Sequence, residues 1–306
     1  MIDYRHIIDD ATWQFIEKTN SFYPENVVDA TVGEQRAIYN AMCAAFHAGI
    51  PKDVVVTDGN VGSVPVRQYH QDNSSGPIVV YMHGGGFVVG GLLSHDDVCA
   101  EICAATGLRV TSVDYRLSPE HPHPGAYDDC QTVFDHLIAD PVILCGDSAG
   151  GNLAAALAHN NRGTPVLGQV LIYPGLGGDM NRGSYQRHAQ APMLTRDDIL
   201  FHKDVRGPIK AGDTRASPLS DTDFSALPPT VAIAAECDPL ADDARQYRDA
   251  IQAAGGRAIF IEETGLVHGF LRARHMAPRA RAGFARITRA ITGMAARTPL
   301  CEIELL

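Results

Sequence analysis

The chain has no excess of positive charge: 25 Lys and Arg stand against 36 Asp and Glu, a formal net charge of -11 over 306 residues. An acidic chain gains nothing from releasing the counterions of a phosphate backbone, so no nucleic-acid partner is expected. The one locally basic run, RARHMAPRARAGFARITRA, reads as the solvated face of an amphipathic helix. Long apolar runs are also missing, so no membrane span is expected. The start, MIDYRHIIDD, is acidic and does not read as a secretory leader. Seven cysteines are scattered without a paired framework. That excludes a disulfide-stapled scaffold and points to buried thiols in a reducing cytoplasm. Cys99 and Cys103 are four apart, but no second ligand pair follows them, so no metal site is expected. Internal repeats and low-complexity tracts are absent too.

The chain is 45% hydrophobic and 20% charged, which suits one large domain or a core domain with a smaller addition. DATWQFIEKTN and VGEQRAIYNAMCAAFHAG have helical apolar spacing, and Gly49-Ile50-Pro51 ends the second. DVVVTD and VPVRQYH read as two early strands separated by GNVGS. From there strands and helices alternate. PIVVYMH, LRVTSVDY, PVILCG, GQVLIYP, PTVAIAAE and RAIFIEE are the strands, several of them continuously apolar, as for strands covered on both faces. This alternation predicts an α/β fold with a mainly parallel central sheet and helices on both faces. A polar stretch over 178–214 interrupts it. The expected organisation is a helical cap segment at 1–50 and a catalytic domain at 51–306, with 178–214 as a cap insertion.

VILCGDSAGG (142–151) runs an apolar strand into Gly-Asp-Ser-Ala-Gly and then into an Ala-rich helix. G-x-S-x-G between strand and helix is a sharp turn that lifts a serine hydroxyl clear of a sheet. Ser148 is therefore the candidate nucleophile, above a helix N-terminus that favours negative charge. A serine hydroxyl needs a base. His268 follows the final strand in ETGLVHGF and is the candidate, which implies activity that falls on the acid side as the imidazole protonates. The imidazole needs a carboxylate to orient it. Asp238, just past the strand PTVAIAAE, is preferred over Glu236, Asp242 and Asp243. The order Ser148, Asp238, His268 is that of an α/β-hydrolase.

With these residues in place, the chain resembles the hormone-sensitive-lipase-like carboxylesterases of the α/β-hydrolases. HGGGF (83–87) resembles that family's glycine-rich oxyanion motif, and GDSAGGNLA its nucleophile elbow. DYRLSPEHPHPGAYDD, DPLADD and HGF resemble its conserved segments, over residues 76 to 272. Ser118 stands where the family more often has Ala, and DPLADDA lacks a Gly that often follows. The resemblance implies a lid made from the N-terminal helices and an insertion. It also implies short- to medium-chain ester substrates.

The mechanism this implies is ester hydrolysis through an acyl-enzyme on Ser148. His268 is the proton carrier, Asp238 its partner, and the backbone N–H groups of Gly84, Gly85 and Ala149 form the oxyanion hole. No cofactor or metal is required. His83 is expected as a loop anchor, HPHP (121–124) as a structural loop, and Arg116 and Asp128 as loop-holding residues. Amide, thioester or arylformamide hydrolysis on the same triad is the alternative chemistry, and a non-catalytic small-ligand receptor the alternative class. The strand near 257–263 is a candidate sheet edge through which two copies could pair.

Overall fold

The computed structural model describes residues 2–24 and 30–304. Its centre is an eight-stranded sheet: β1 (Val55–Val61), β2 (Val64–His70), β3 (Ile78–Met82), β4 (Arg109–Val113), β5 (Val142–Asp147), β6 (Val166–Ile172), β7 (Thr230–Cys237) and β8 (Ala258–Val267). The spatial order is β1-β2-β4-β3-β5-β6-β7-β8. β1 and β2 are antiparallel, as are β2 and β4, and the remaining pairs are parallel. The early hairpin is tighter than its sequence suggested. GNV belongs to β1, and the turn is only Gly62-Ser63, with Gly62 at φ +59°. Glycine adopts that backbone without a Cβ penalty.

The continuous apolar strands are explained by two cores, one on each face. In β3, Val79 and Tyr81 point into one and Ile78, Val80 and Met82 into the other. The first face is covered by α1 (Asp10–Asn20), α2 (Val32–Phe46), α3 (Asp96–Thr106) and α9 (Pro278–Ala295). The second is covered by α4 (Gly125–Leu137), α5 (Ala149–Asn160) and α8 (Ala241–Ala253). Of α9's arginines, Arg279 and Arg281 are exposed, and Arg286 pairs with Glu263 of β8. A short α10 (Leu300–Glu304) packs beside α9 and β8.

The two segments expected to cap the sheet are helical. α1 starts on an Asp9 N-cap and α2 on a Thr31–Glu34 capping box. Phe15, Ile16, Met42 and Phe46 bury their side chains in the first core. Met1 and residues 25–29 of that segment lie outside the described residues. Between β6 and β7 the 178–214 stretch forms α6 (Ser184–Arg187) and α7 (Arg196–Val205).

Candidate active site

β5 delivers its last residues into a strained corner. Ser148 sits at φ 54°, ψ -115°, a region costly for a residue with a Cβ. The glycines on either side make the corner sterically feasible. A Cβ on Gly150 would lie 1.9 Å from the Met82 carbonyl oxygen, and one on Gly146 would lie 2.5 Å from Gly150. Both obstacles are backbone, so neither can move aside. Ser148 is half-exposed at the start of α5, whose first N–H groups lie around it.

His268 follows β8 directly, and its Nε2 lies 2.9 Å from Ser148 Oγ. Its Nδ1 lies 2.7 Å from Asp238 Oδ2. Asp238 follows β7, is fully buried, and accepts the Leu240 N–H on Oδ1. The three residues, separated by 90 and 30 positions in sequence, meet because β5, β7 and β8 end on the same side of a parallel sheet. The competing acids are engaged elsewhere. Glu236 accepts the Gly265 N–H, Asp242 accepts the Ser184 N–H, and Asp243 is buried against the insertion.

The glycine loop corrects one expectation. The Gly84 N–H donates to Asp147 Oδ1 at 2.9 Å, so it is not free for a substrate. Among the described residues, the N–H groups of Gly85, Gly86 and Ala149 have no partner, and all three residues line the cavity beside Ser148. Gly85 and Gly86 have φ of +132° and +61°, and a Cβ on Gly86 would strike the His202 ring at 2.4 Å. His83 is buried, stacks on Tyr115 and binds the Gly84 carbonyl through Nδ1. Burial and then the neighbouring His95 push its pKa down to about 3, so it is neutral and anchors the loop.

Asp147, one residue before Ser148, was not singled out from the sequence as a site residue. Besides the Gly84 N–H, its carboxylate accepts the hydroxyls of Tyr81 at 2.8 Å and Tyr173 at 3.3 Å, and it lies 3.3 Å from His95 Nε2. Burial raises its pKa, but His95, the Tyr81 hydroxyl and the Arg272 guanidinium outweigh burial and hold it well below the usual carboxylate range. This buried anion ties the oxyanion loop to the elbow. Its only mark in sequence is adjacency to Ser148. Arg116, expected to hold a loop, pairs with Asp129 at 2.8 Å. In HPHP, His123 meets Asp213 at 3.1 Å, linking that loop to the insertion.

The cavity above Ser148 holds about 740 Å³ and takes its walls from α1, α2, the glycine loop, the insertion and the His268 loop. Among the described residues no group of three or more His, Cys, Asp or Glu could hold a metal ion, and no helix is long and apolar enough to cross a membrane.

Residues 79–272 match the model of a family described by the alpha/beta hydrolase fold. The chain is 35% identical over 291 residues to the carboxylic ester hydrolase LipN of Mycobacterium tuberculosis, covering 86% of this chain and 77% of LipN. It is 37% identical over 239 residues to the carboxylesterase NlhH of the same species, covering 71% of this chain and 74% of NlhH. A solved esterase of the bacterial hormone-sensitive lipase family superposes with a TM-score of 0.84 at 25% identity, covering 96% of this chain and all of that one. The chain therefore belongs to the α/β-hydrolase family, in its hormone-sensitive-lipase-like branch, and is a hydrolase of carboxylic ester bonds.

Proposed function

We propose that ester hydrolysis runs through an acyl-enzyme on Ser148. The observation that carries this reading is the relay from Ser148 Oγ to His268 Nε2 and from His268 Nδ1 to Asp238 Oδ2, at 2.9 and 2.7 Å. Nδ1–H donates to the buried Asp238, which leaves Nε2 free to accept the serine proton as Oγ attacks the acyl carbon. The carbonyl oxygen becomes an oxyanion held by the N–H groups of Gly85, Gly86 and Ala149. Aimed before the reaction, such donors cost no reorganisation as charge develops, and each is worth roughly 3–4 kcal/mol. His268 next protonates the leaving alcohol. It then takes a proton from water as the water attacks the acyl carbon, and returns that proton to Ser148 Oγ as the acid leaves.

The α1–α2 segment and the 178–214 insertion act as the cap in this reading, and the cavity they close suits short to medium acyl chains. The protein works in the cytoplasm as a dimer formed by two β8 edges. An organophosphate is the direct test of the nucleophile. We expect one stoichiometric adduct on Ser148 and, in Ser148→Ala, neither adduct nor p-nitrophenyl ester turnover with the melting transition retained. An adduct elsewhere, or turnover near wild type in that variant, overturns the assignment.

A further inference from the structure

Of Arg206, Arg272 and Arg274, two are matched to several acceptors each. Arg274 pairs with Asp97 and Glu101, and Arg272 donates to the Ser94 carbonyl and the Tyr39 hydroxyl. Arg206 is the exception. It ends α7 in the insertion, is 7% exposed, and lines the active-site cavity. Among the described residues no carboxylate lies within ion-pairing distance of its guanidinium, and its side chain makes one hydrogen bond, from an Nη1–H to the Ala216 carbonyl at 3.2 Å. Asp213, the nearest acid acting on it, is already held by Arg215 and His123.

Phe87, next to the oxyanion loop, lies 3.5 Å under the guanidinium carbon. An aromatic ring satisfies the face of a guanidinium but leaves its in-plane N–H donors without acceptors. Burial pushes the Arg206 pKa down to about 9, against Tyr115 and Asp213, so the group is still a cation at neutral pH. Its remaining N–H donors open on the cavity, where an anion can take them.

Its position relative to the chemistry follows from a shared acceptor. The Ala216 carbonyl that receives Arg206 also receives Nδ2 of Asn152, at 2.9 Å. Asn152 is one helical turn beyond Ser148 on α5, so the guanidinium lies on the α5 side of the cavity, the side that carries Ser148. The cavity's acids on α7, Asp197 and Asp198, lie at the opposite end of that helix, roughly 12 Å away. Asp147 also lines the cavity but is enclosed by its own donors. A single planar fork with parallel N–H groups matches a carboxylate.

We propose that Arg206 binds a free carboxylate on the substrate, so that this esterase selects half-esters of short dicarboxylic acids over neutral esters of equal length. The inference rests on the ester-hydrolase reading above. The test measures ethanol release from monoethyl glutarate and from ethyl pentanoate, and takes the ratio of their kcat/KM values. We expect Arg206→Gln to lower that ratio at least tenfold and Arg206→Lys to lower it less. A ratio unchanged within twofold in Arg206→Gln, or lowered equally in both variants, overturns the inference. If Arg206→Gln does not melt cooperatively, wild-type inhibition decides. Free glutarate should compete at least tenfold better than 1,5-pentanediol, and equal inhibition overturns the proposal. Wild type that releases ethanol from neither ester and takes no organophosphate on Ser148 sinks the ester-hydrolase reading and this inference together. Turnover of both esters with an unmoved ratio sinks only the role of Arg206.

Discussion

Asp147 concentrates the residue-scale physics of this protein. One carboxylate holds the Gly84 N–H, two tyrosine hydroxyls and a histidine, beside Ser148, the proposed nucleophile. An amide of the same shape keeps one acceptor oxygen and loses the charge. We expect Asp147→Asn to lower kcat by about 10²–10³-fold, the scale of a displaced oxyanion donor. KM should move less, because the loop's donors matter most where charge develops. Destabilisation of about 1–3 kcal/mol should accompany it, from buried donors left short of an acceptor. Steady-state kinetics with a short p-nitrophenyl ester, together with thermal melts, check this; a kcat within twofold of wild type would remove Asp147 from the loop's support.

At the scale of elements, the insertion is fastened to α8 by another buried acid. Asp243 accepts the Leu176 N–H at 2.7 Å, the Gly178 N–H at 3.3 Å and the Tyr185 hydroxyl at 3.0 Å. Burial nevertheless pushes its pKa from 3.8 up to about 6. The folded state therefore holds this proton more tightly than the unfolded chain does. The associated stability is fully present below about pH 4 and is lost as pH rises through 6, about 3 kcal/mol in total. Between pH 4 and 7 we expect wild-type unfolding free energy to fall by about that amount relative to Asp243→Asn, measured by urea titration. A difference between the two proteins that does not vary with pH would show that Asp243 stays ionised throughout. Acids at the start of α8 were legible in sequence as helix-dipole partners. Their use as anchors for a segment some 60 residues earlier was not, because a propensity says nothing about what packs opposite.

For the whole molecule, β8 is the last strand in the sheet and, among the described residues, has one unpaired edge. Its acids are neutralised within the chain, Glu262 by Arg245 and Glu263 by Arg286, so like-charge repulsion does not guard that edge. Two-fold pairing of β8 strands would continue the sheet across a symmetric interface. Light scattering at micromolar concentration should then give twice the chain mass of 32.9 kDa. A monomer mass would count against the pairing, and a proline at Phe260, whose N–H lies on the open edge, should split a dimer.

The sequence by itself determined the architecture, and it named the three residues proposed to react. Apolar runs that alternate with amphipathic helices have few other ways to bury both faces of a sheet. G-x-S-x-G carries its own steric reason, since Gly146 and Gly150 stand where any Cβ would enter backbone. Asp238 and His268 follow the ends of β7 and β8, which a parallel sheet brings to the edge where β5 ends. Which N–H groups of the glycine loop are left without a partner was decided by the tertiary structure alone. Three consecutive glycines look alike in sequence, and Gly84 is removed from the set only because Asp147 arrives from another strand to take its N–H. The same holds for Arg206. An arginine at the end of a polar helix reads as solvated until folding buries it against Phe87 and leaves no carboxylate within reach. Local pattern dictates which elements form, but hydrogen-bond partners and unmatched charge depend on which elements meet.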